Sequence, residues 1–231
     1  MEEVSLSEHE AQLRSAFVRL AEYRVADWAT QNLAVVIHRT GEWSNRSAQD
    51  YRRRAIMLLT IRLLRAIRAG MSVHAIGWEV EGRSLDRLAA EVRARLVQVS
   101  DDPTDETGRL WLERKLTEKT SITSALKASA PELDPTVVRD LYAALSQDSH
   151  ADVAGVMRSL AEVDENTLSA VVRWGPQQTK AARQSLVVLA TFAAEAATGL
   201  AVESGDSYPE RDALARQLSA VQAALGERSE V

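Results

Sequence analysis

The sequence predicts an all-α protein of about eight helices, arranged as one bundle of antiparallel helix hairpins. Three observations support this fold class. Ala, Leu, Arg and Glu are abundant, and these residues lose little free energy on entering a helix. Apolar residues recur at helical spacing along most of the chain. No stretch shows the alternation of apolar and polar residues that marks a half-buried strand.

Composition limits the classes of function. The 231 residues can bury a sizeable core, and 45% hydrophobic with 26% charged residues is the balance of a globular protein. The absence of cysteine excludes disulfides, thiol nucleophiles and Cys-ligated metals. A net charge of −5 predicts no general attraction to nucleic acid or anionic membranes. The acidic first residues lack the apolar run of a secretory signal, so we expect a cytoplasmic location.

The first helix is predicted over residues 6–39. Ser7 could cap it, and Gly41 follows its last apolar residues and should end it. Its apolar stripe is mixed in the middle, which predicts a helix that is half exposed or that changes partner along its length.

Residues 48–99 should form a helix hairpin. Ser47 could cap a helix at 48–69, which Gly70 would end, and the short turn at Gly70-Met71 would fold the helix at 72–99 back antiparallel. The apolar residues of the first of these helices cover a wide face, which implies burial on more than one side.

The rest of that helix surface is basic, although the whole chain is acidic. It could bind phosphate or nucleic acid, or its arginines could pair with acids on neighbouring helices or stay solvated. We favour the structural interpretation, because the helix lacks the interleaved aromatics on which single-strand binders stack bases. The arginines are Arg52, Arg53, Arg54, Arg62, Arg65 and Arg68.

On the next helix, an apolar stripe continues into Arg83 and Arg87. A buried arginine needs an acidic or anionic partner, so both are candidate ligand-binding residues. Glu79 and Arg83, and Arg87 and Glu91, have the four-residue spacing of intrahelical ion pairs. Gly82 would leave room for a close neighbour.

The second half of the chain begins with a polar linker at 100–108. Further helices are predicted at 105–128, 135–147, 149–163, 167–174, 176–202 and 210–225. The segment 184–202 is apolar enough for a membrane span to be considered, but polar residues dilute it and no symmetric anchors flank it. We therefore expect a central bundle helix and no membrane contact. The linker at 204–209 divides a bundle domain, 1–203, from a C-terminal segment, 204–231.

Strong catalytic motifs are absent. There is no glycine-rich phosphate loop, zinc-protease His-Glu-x-x-His, hydrolase Gly-x-Ser-x-Gly or nucleotide-fold fingerprint. Four histidines and no cysteine make a multi-histidine metal site improbable, so we predict no metal and no cofactor.

One cluster could carry chemistry. Tyr142, Ser146 and His150 are spaced four apart and would share a helix face, where the histidine could act as general acid or base. The neighbouring Ser149 and Asp152 have the spacing of a helix cap and its third residue, which explains part of the cluster without chemistry. The further hypothesis of a metal-dependent hydrolase at His150 is less favoured, because Asp152 is better explained as part of a helix cap.

A resemblance rests on two segments, Gly82-Arg-Ser-Leu85 and Tyr142-Ala-Ala-Leu-Ser-Gln-Asp-Ser-His150. They resemble a loose group of uncharacterised all-helical bacterial proteins that pair an arginine with a Tyr-x-x-Leu-Ser-x-x-x-His stretch, across about 48–163. The group is distantly similar to HEPN-type helical domains of toxin–antitoxin and phage-defence systems, some of them ribonucleases. Arg68 and His74 have the spacing of the Arg-x(4–6)-His motif of these domains, although Gly70 should end the helix between them.

The resemblance implies a bacterial defence or stress protein. We expect a polar pocket between helices, formed by Arg83, Arg87, Tyr142, Ser146 and His150, that binds an anion, a nucleotide or RNA. The alternative is a non-enzymatic interaction module, in which the same residues form a structural network and helical faces bind a protein partner or a second copy. The residues leave open whether the protein is an enzyme.

Overall fold

The computed structural model describes residues 6–45, 50–115, 160–164, 169–172 and 180–227. This part of the chain is helical apart from one short β-hairpin, which confirms the all-α class. A single 3₁₀ turn lies at Trp43–Asn45. The α-helices are α1 (Leu6–Phe17), α2 (Ala21–Thr40), α3 (Tyr51–Ala75), α4 (Glu79–Asp101), α5 (Glu106–Leu112), α6 (Lys180–Ser204) and α7 (Arg211–Glu227).

Helix α6 lies at the centre of the bundle, as its sequence predicts. It packs against α2, α3, α4 and α7. Leu186, Leu189, Ala193 and Leu200 are almost fully removed from solvent along its length. Within the described residues, one helix, Ala182–Ser204, is long and apolar enough to cross a membrane. Half of its most apolar window is buried inside the fold. Its apolar composition is therefore accounted for by packing on several sides.

Helices α3 and α4 form the predicted antiparallel hairpin, but the turn is not at Gly70. Helix α3 runs through Gly70 to Ala75, and the chain reverses at 76–78, where Gly77 has φ of 87°. That left-handed conformation favours glycine. The predicted end at Gly70 is wrong because this glycine serves close packing: a Cβ there would lie 3.2 Å from Oδ1 of Asp86 on α4.

The predicted helix at 6–39 is divided. Helix α1 ends at Phe17, and α2 begins at Ala21 and ends at Thr40, next to the expected stop at Gly41. Phe17 is fully buried, and its ring meets the edge of Tyr23 at a centroid distance of 5.7 Å. The break, which no glycine or proline marks, places this ring in the core and turns α2 toward α6.

The start of α3 and the linker after α4 use local caps. Asp50 caps α3 by accepting a hydrogen bond from the backbone N–H of Arg53 at 3.0 Å, whereas the predicted cap Ser47 lies outside the described residues. Helix α4 ends at Asp101 and α5 begins at Glu106, within the predicted linker. The carboxylate of Asp102 accepts hydrogen bonds from the backbone N–H groups of Thr104 and Thr107, at 2.8 and 3.0 Å.

Two short strands correct the prediction for the region before α6. Strands β1 (Leu160–Asp164) and β2 (Ser169–Val172) pair antiparallel, with Val163 opposite Ala170. The sequence predicts helix at both places and no strand anywhere, and both predictions are wrong for these residues. Val163, Val171 and Val172 are β-branched and favour extended backbone once a neighbouring segment is available to pair with.

Candidate functional site

A buried polar pair joins the two helices of the α3–α4 hairpin. Nε2 of His74 on α3 lies 2.9 Å from Oδ2 of Asp86 on α4, and the two residues are only 2% and 5% exposed. Nδ1 of His74 and Oδ1 of Asp86 are buried without a hydrogen-bond partner in the described structure. A buried polar pair of this kind is costly to break, so it fixes how α4 sits on α3.

Two glycines make room for this pair. At Gly82 on α4, a Cβ would lie 2.5 Å from Cε1 of His74, so the imidazole rests directly on the helix backbone. Gly70 on α3 likewise leaves space for the carboxylate of Asp86, whose Oδ1 would lie 3.2 Å from a Cβ at this position. The expectation that Gly82 leaves room for a close neighbour is confirmed, and the neighbour is His74.

Arg68 and His74, the pair that matches the HEPN-type motif in number, lie in the same helix but point to different places. They are six positions apart, which at 100° per residue places them about 120° apart around the helix, so they do not share a face. Arg68 is half exposed and pairs with Asp27 of α2, whereas His74 is buried against α4. The described geometry does not bring these two side chains together into one site.

Arg83 and Arg87, the predicted ligand-binding residues, are both half-buried on one face of α4. Nε of Arg87 donates to Oε1 of Glu91 at 2.9 Å, which confirms the ion pair expected from their spacing. The same face continues to Ala90 and Ala94, which are 5% and 0% exposed although neither belongs to the main apolar cluster. The arginines therefore stand at one end of a sheltered face.

Tyr142, Ser146 and His150, the predicted catalytic residues, lie outside the described residues. The same holds for Ser149 and Asp152, for which the sequence predicts capping. The pocket that these side chains would form with Arg83 and Arg87 remains a prediction.

The arginine that begins the basic face of α3 is structural. Arg52 donates from Nη1 to Oε2 of Glu203 on α6 at 2.8 Å, and from Nη2 to the backbone oxygen of Ser100 at 2.7 Å. The hydrogen bond with Glu203 raises the pKa of Arg52 above its ordinary value, with a further contribution from the charge of that carboxylate and against the opposing effect of burial. Its backbone touches α5, where a Cβ at Gly108 would lie 2.8 Å from Cα of Arg52. Arg52 thus ties the ends of α3, α4 and α6 together.

Two further arginines of α3 have acidic partners. Nε of Arg53 lies 2.8 Å from Oδ2 of Asp50, and its guanidinium stands 5.3 Å from the ring centroid of Trp43. Arg68 pairs with Asp27. Arg52 and Arg68 therefore pair with acids on neighbouring helices, as the structural interpretation expects, whereas the partner of Arg53 is the cap of its own helix. Three others remain: in the part of the chain that the structure describes, no ion pair or side-chain hydrogen bond involves Arg54, Arg62 or Arg65.

A second buried charge joins α2 and α6. Glu22 is 2% exposed, and its Oε1 accepts a hydrogen bond from Nε of Arg183 at 2.9 Å, while its Oε2 has no described partner. The two residues are 161 positions apart, so no local pattern could have revealed them. The pair links the central helix to α2.

Among the described residues, no group of three or more histidine or acidic side chains is placed to hold a metal ion. Comparison of the chain with protein-family models, curated proteins and solved structures finds no match.

Proposed function

We propose that this chain is a helical binding protein, and that the face of α4 bearing Arg83 and Arg87 takes an anionic ligand, either a nucleotide or RNA. One observation carries the proposal. Two guanidinium groups one turn apart are half-buried on the same face, beside a sheltered surface that the main apolar cluster does not include. The planar guanidinium, with its five N–H donors, is the side chain best suited to bidentate recognition of a phosphate group.

The chemistry of this face suits phosphate. A guanidinium carries five N–H donors, so Arg87 can bind a phosphate oxygen while it keeps its bond with Glu91. Arg–phosphate hydrogen bonds are often bidentate, and they are stronger where water is partly excluded. Because Glu91 already holds Arg87, less side-chain freedom is lost when the ligand binds.

The helix that carries the arginines is also held in place. Ala90 and Ala94 are small and buried, so the helix face next to the arginines is packed against other parts of the protein. The buried bond between His74 and Asp86 holds this helix against α3, one turn from Arg83. A binding surface on a fixed helix keeps its donors in place before the ligand arrives.

The remaining parts of the proposal rest on the sequence. Tyr142, Ser146 and His150 would complete the pocket, and His150 would be the group able to transfer a proton. The cytoplasm is the proposed location, and a bacterial defence or stress role follows from the resemblance to the Tyr-x-x-Leu-Ser-x-x-x-His group.

The test is a binding measurement on the full chain. Fluorescent mono-, di- and triphosphate nucleotides and a single-stranded RNA oligonucleotide would be titrated with the wild type, Arg83→Gln, Arg87→Gln and His150→Ala. Arg216→Gln on α7 is the matched control, because Arg216 is exposed and its replacement removes the same charge. We expect at least one ligand to bind, with affinity reduced by about tenfold or more in each α4 variant.

Equal affinity of the wild type and both α4 variants would overturn the proposed site. Binding of none of the ligands would overturn the proposed function, and it would favour the alternative of a non-enzymatic interaction module. That alternative has its own support, since three arginines of α3 and the imidazole of His74 already have partners inside the protein.

A further inference from the structure

The outward face of α3 carries positive charge that the described part of the protein does not neutralise. Arg62 and Arg65 are exposed, and Arg54, two turns before Arg62, is partly buried. Of the described residues, none forms an ion pair or hydrogen bond with these guanidinium groups, in contrast to those of Arg52 and Arg68. A cluster of unpaired cations on an acidic protein marks a place where a negative partner is favoured.

An apolar side chain lies between these charges. Leu58 is 49% exposed, one turn after Arg54 and one turn before Arg62. Ile61, beside it, is only partly buried. Positions 54, 58, 62 and 65 fall on one face of a helix, so the residues form a continuous strip roughly 16 Å long, or about three turns.

We propose that this strip, Arg54, Leu58, Ile61, Arg62 and Arg65, is a docking surface for an acidic amphipathic helix of a partner protein. The partner would place an apolar residue on Leu58 and Ile61 and carboxylates against the flanking guanidinium groups. This site is separate from the proposed ligand face on α4, and neither proposal depends on the other.

The apolar residues Leu58 and Ile61 at the centre of the strip favour a protein helix as the partner over a nucleic acid. Exposed ion pairs contribute little to affinity, so three arginines alone mainly steer a partner toward the surface. Burial of Leu58 and Ile61 would supply the additional stabilisation, and an amphipathic helix offers apolar anchors at matching intervals. A single nucleic-acid strand would need aromatic rings for its bases, and the strip has none.

A peptide selection tests the docking surface with the intact chain as bait. The library would display helix-forming peptides whose outward positions are randomised. We expect enrichment of sequences with Asp and Glu on both sides of an apolar stripe. A selected peptide would then be synthesised, labelled and titrated by fluorescence anisotropy, in parallel with a single-stranded RNA oligonucleotide of the same net charge.

Three variants locate the contact. Leu58→Ser removes the apolar centre, and the double variant Arg62→Gln/Arg65→Gln removes two charges. The control, Arg211→Gln/Arg216→Gln, removes two charges from exposed positions on α7. All of these positions are on the surface, so circular dichroism melting should show the fold retained. We expect peptide affinity to fall by about tenfold or more in the first two variants and to stay unchanged in the control.

Several outcomes would overturn the docking surface. One is the absence of enrichment, and another is a selected peptide that binds the Arg62→Gln/Arg65→Gln protein as well as the wild type. A peptide affinity indifferent to Leu58→Ser would mean that charge alone attracts it. RNA binding that is tighter than peptide binding and depends on Arg62 and Arg65 would assign the strip to phosphate.

Discussion

Nε2 of His74 lies 2.9 Å from Oδ2 of Asp86, inside the hairpin that carries the proposed ligand-binding arginines. The histidine belongs to α3 and the aspartate to α4, and both side chains are almost completely buried. Because each loses water on folding, the hydrogen bond between them replaces solvation that neither could recover if the other were removed.

Replacing Gly82 with alanine should destabilise the protein. The new Cβ would lie 2.5–2.8 Å from three atoms of the His74 ring, and the bond with Asp86 prevents that ring from moving freely. Overpacking of this kind costs about 1–3 kcal/mol, more than alanine returns through its higher helix propensity. The free energy of unfolding, from urea denaturation, measures the loss.

Gly199 on α6 is the matched control for that substitution. It is also inside a helix, and a Cβ there would meet no atom within 4 Å. Gly199→Ala should therefore stabilise the protein by about 0.5–1 kcal/mol, since it gains helix propensity without a clash. A loss of stability equal to that of Gly82→Ala would show that the close approach to His74 is not the cause.

A double-mutant cycle should show strong coupling between His74 and Asp86. Each alanine variant alone leaves the other polar group buried without its partner, whereas the double variant removes both. We expect a coupling free energy of about 1–3 kcal/mol. Unfolding free energies of the four proteins give this value, and simple additivity would mean that the hydrogen bond contributes nothing to stability.

The charge pair between α2 and α6 should respond asymmetrically to removal of either partner. Arg183→Met leaves the carboxylate of Glu22, 2% exposed, without its cation, and should cost about 3 kcal/mol. Glu22→Gln should cost less, about 1 kcal/mol, because the side chain of Arg183 is 18% exposed and can reach water. Thermal and urea denaturation of both variants test whether Arg183→Met loses more stability than Glu22→Gln.

The pair of Arg68 and Asp27 provides the comparison. It also joins two helices through an arginine and an acid, but the two side chains are 51% and 31% exposed. Arg68→Met should lower the unfolding free energy by less than about 1 kcal/mol. If Arg68→Met cost as much as Arg183→Met, burial would not be what separates the two pairs.

Tyr208 should make the protein sensitive to alkali. Its hydroxyl is buried without a described partner, and burial, together with the charge of Glu210, raises the pKa of Tyr208 to about 12. The unfolded chain would ionise near pH 10, so stability present below that pH is lost as the pH rises toward 12. Tyr208→Phe should remove the contribution of this residue to the loss of stability at alkaline pH.

The same substitution has an effect at neutral pH. Phenylalanine keeps the packing of the Tyr208 ring against the core and removes the unpaired hydroxyl, so stability should stay constant or rise by up to about 1 kcal/mol. Urea denaturation at pH 7 and at alkaline pH gives both results. A loss of several kcal/mol at pH 7 would reveal a hydrogen bond to this hydroxyl.

Much of the bundle could be predicted because its signals are local. The apolar composition of α6 indicates a central helix, and the spacing of Arg87 and Glu91 indicates their ion pair; both predictions are confirmed. The antiparallel packing of α3 and α4 is confirmed as well, although the turn lies at Gly77 and not at Gly70, and α2 ends beside Gly41 as expected.

What the sequence does not reveal are features that depend on a distant neighbour. Gly70 looks like a helix end, yet it lies in the middle of α3 because Asp86 approaches it from another helix. The break after Phe17 has no glycine or proline to mark it. His74 could have been paired with Asp86 only if the turn had been placed at Gly77, since the misplaced turn assigns both residues to the same helix.

The two glycines of the hairpin also limit how α3 and α4 can align. Gly70 faces the carboxylate of α4, and Gly82 faces the imidazole of α3, so each helix provides a gap for the polar group of the other. Sliding one helix by a single turn would separate His74 from Asp86 and press both against ordinary side chains. A change in the length of the turn at 76–78 would be tolerated only where it preserves this alignment.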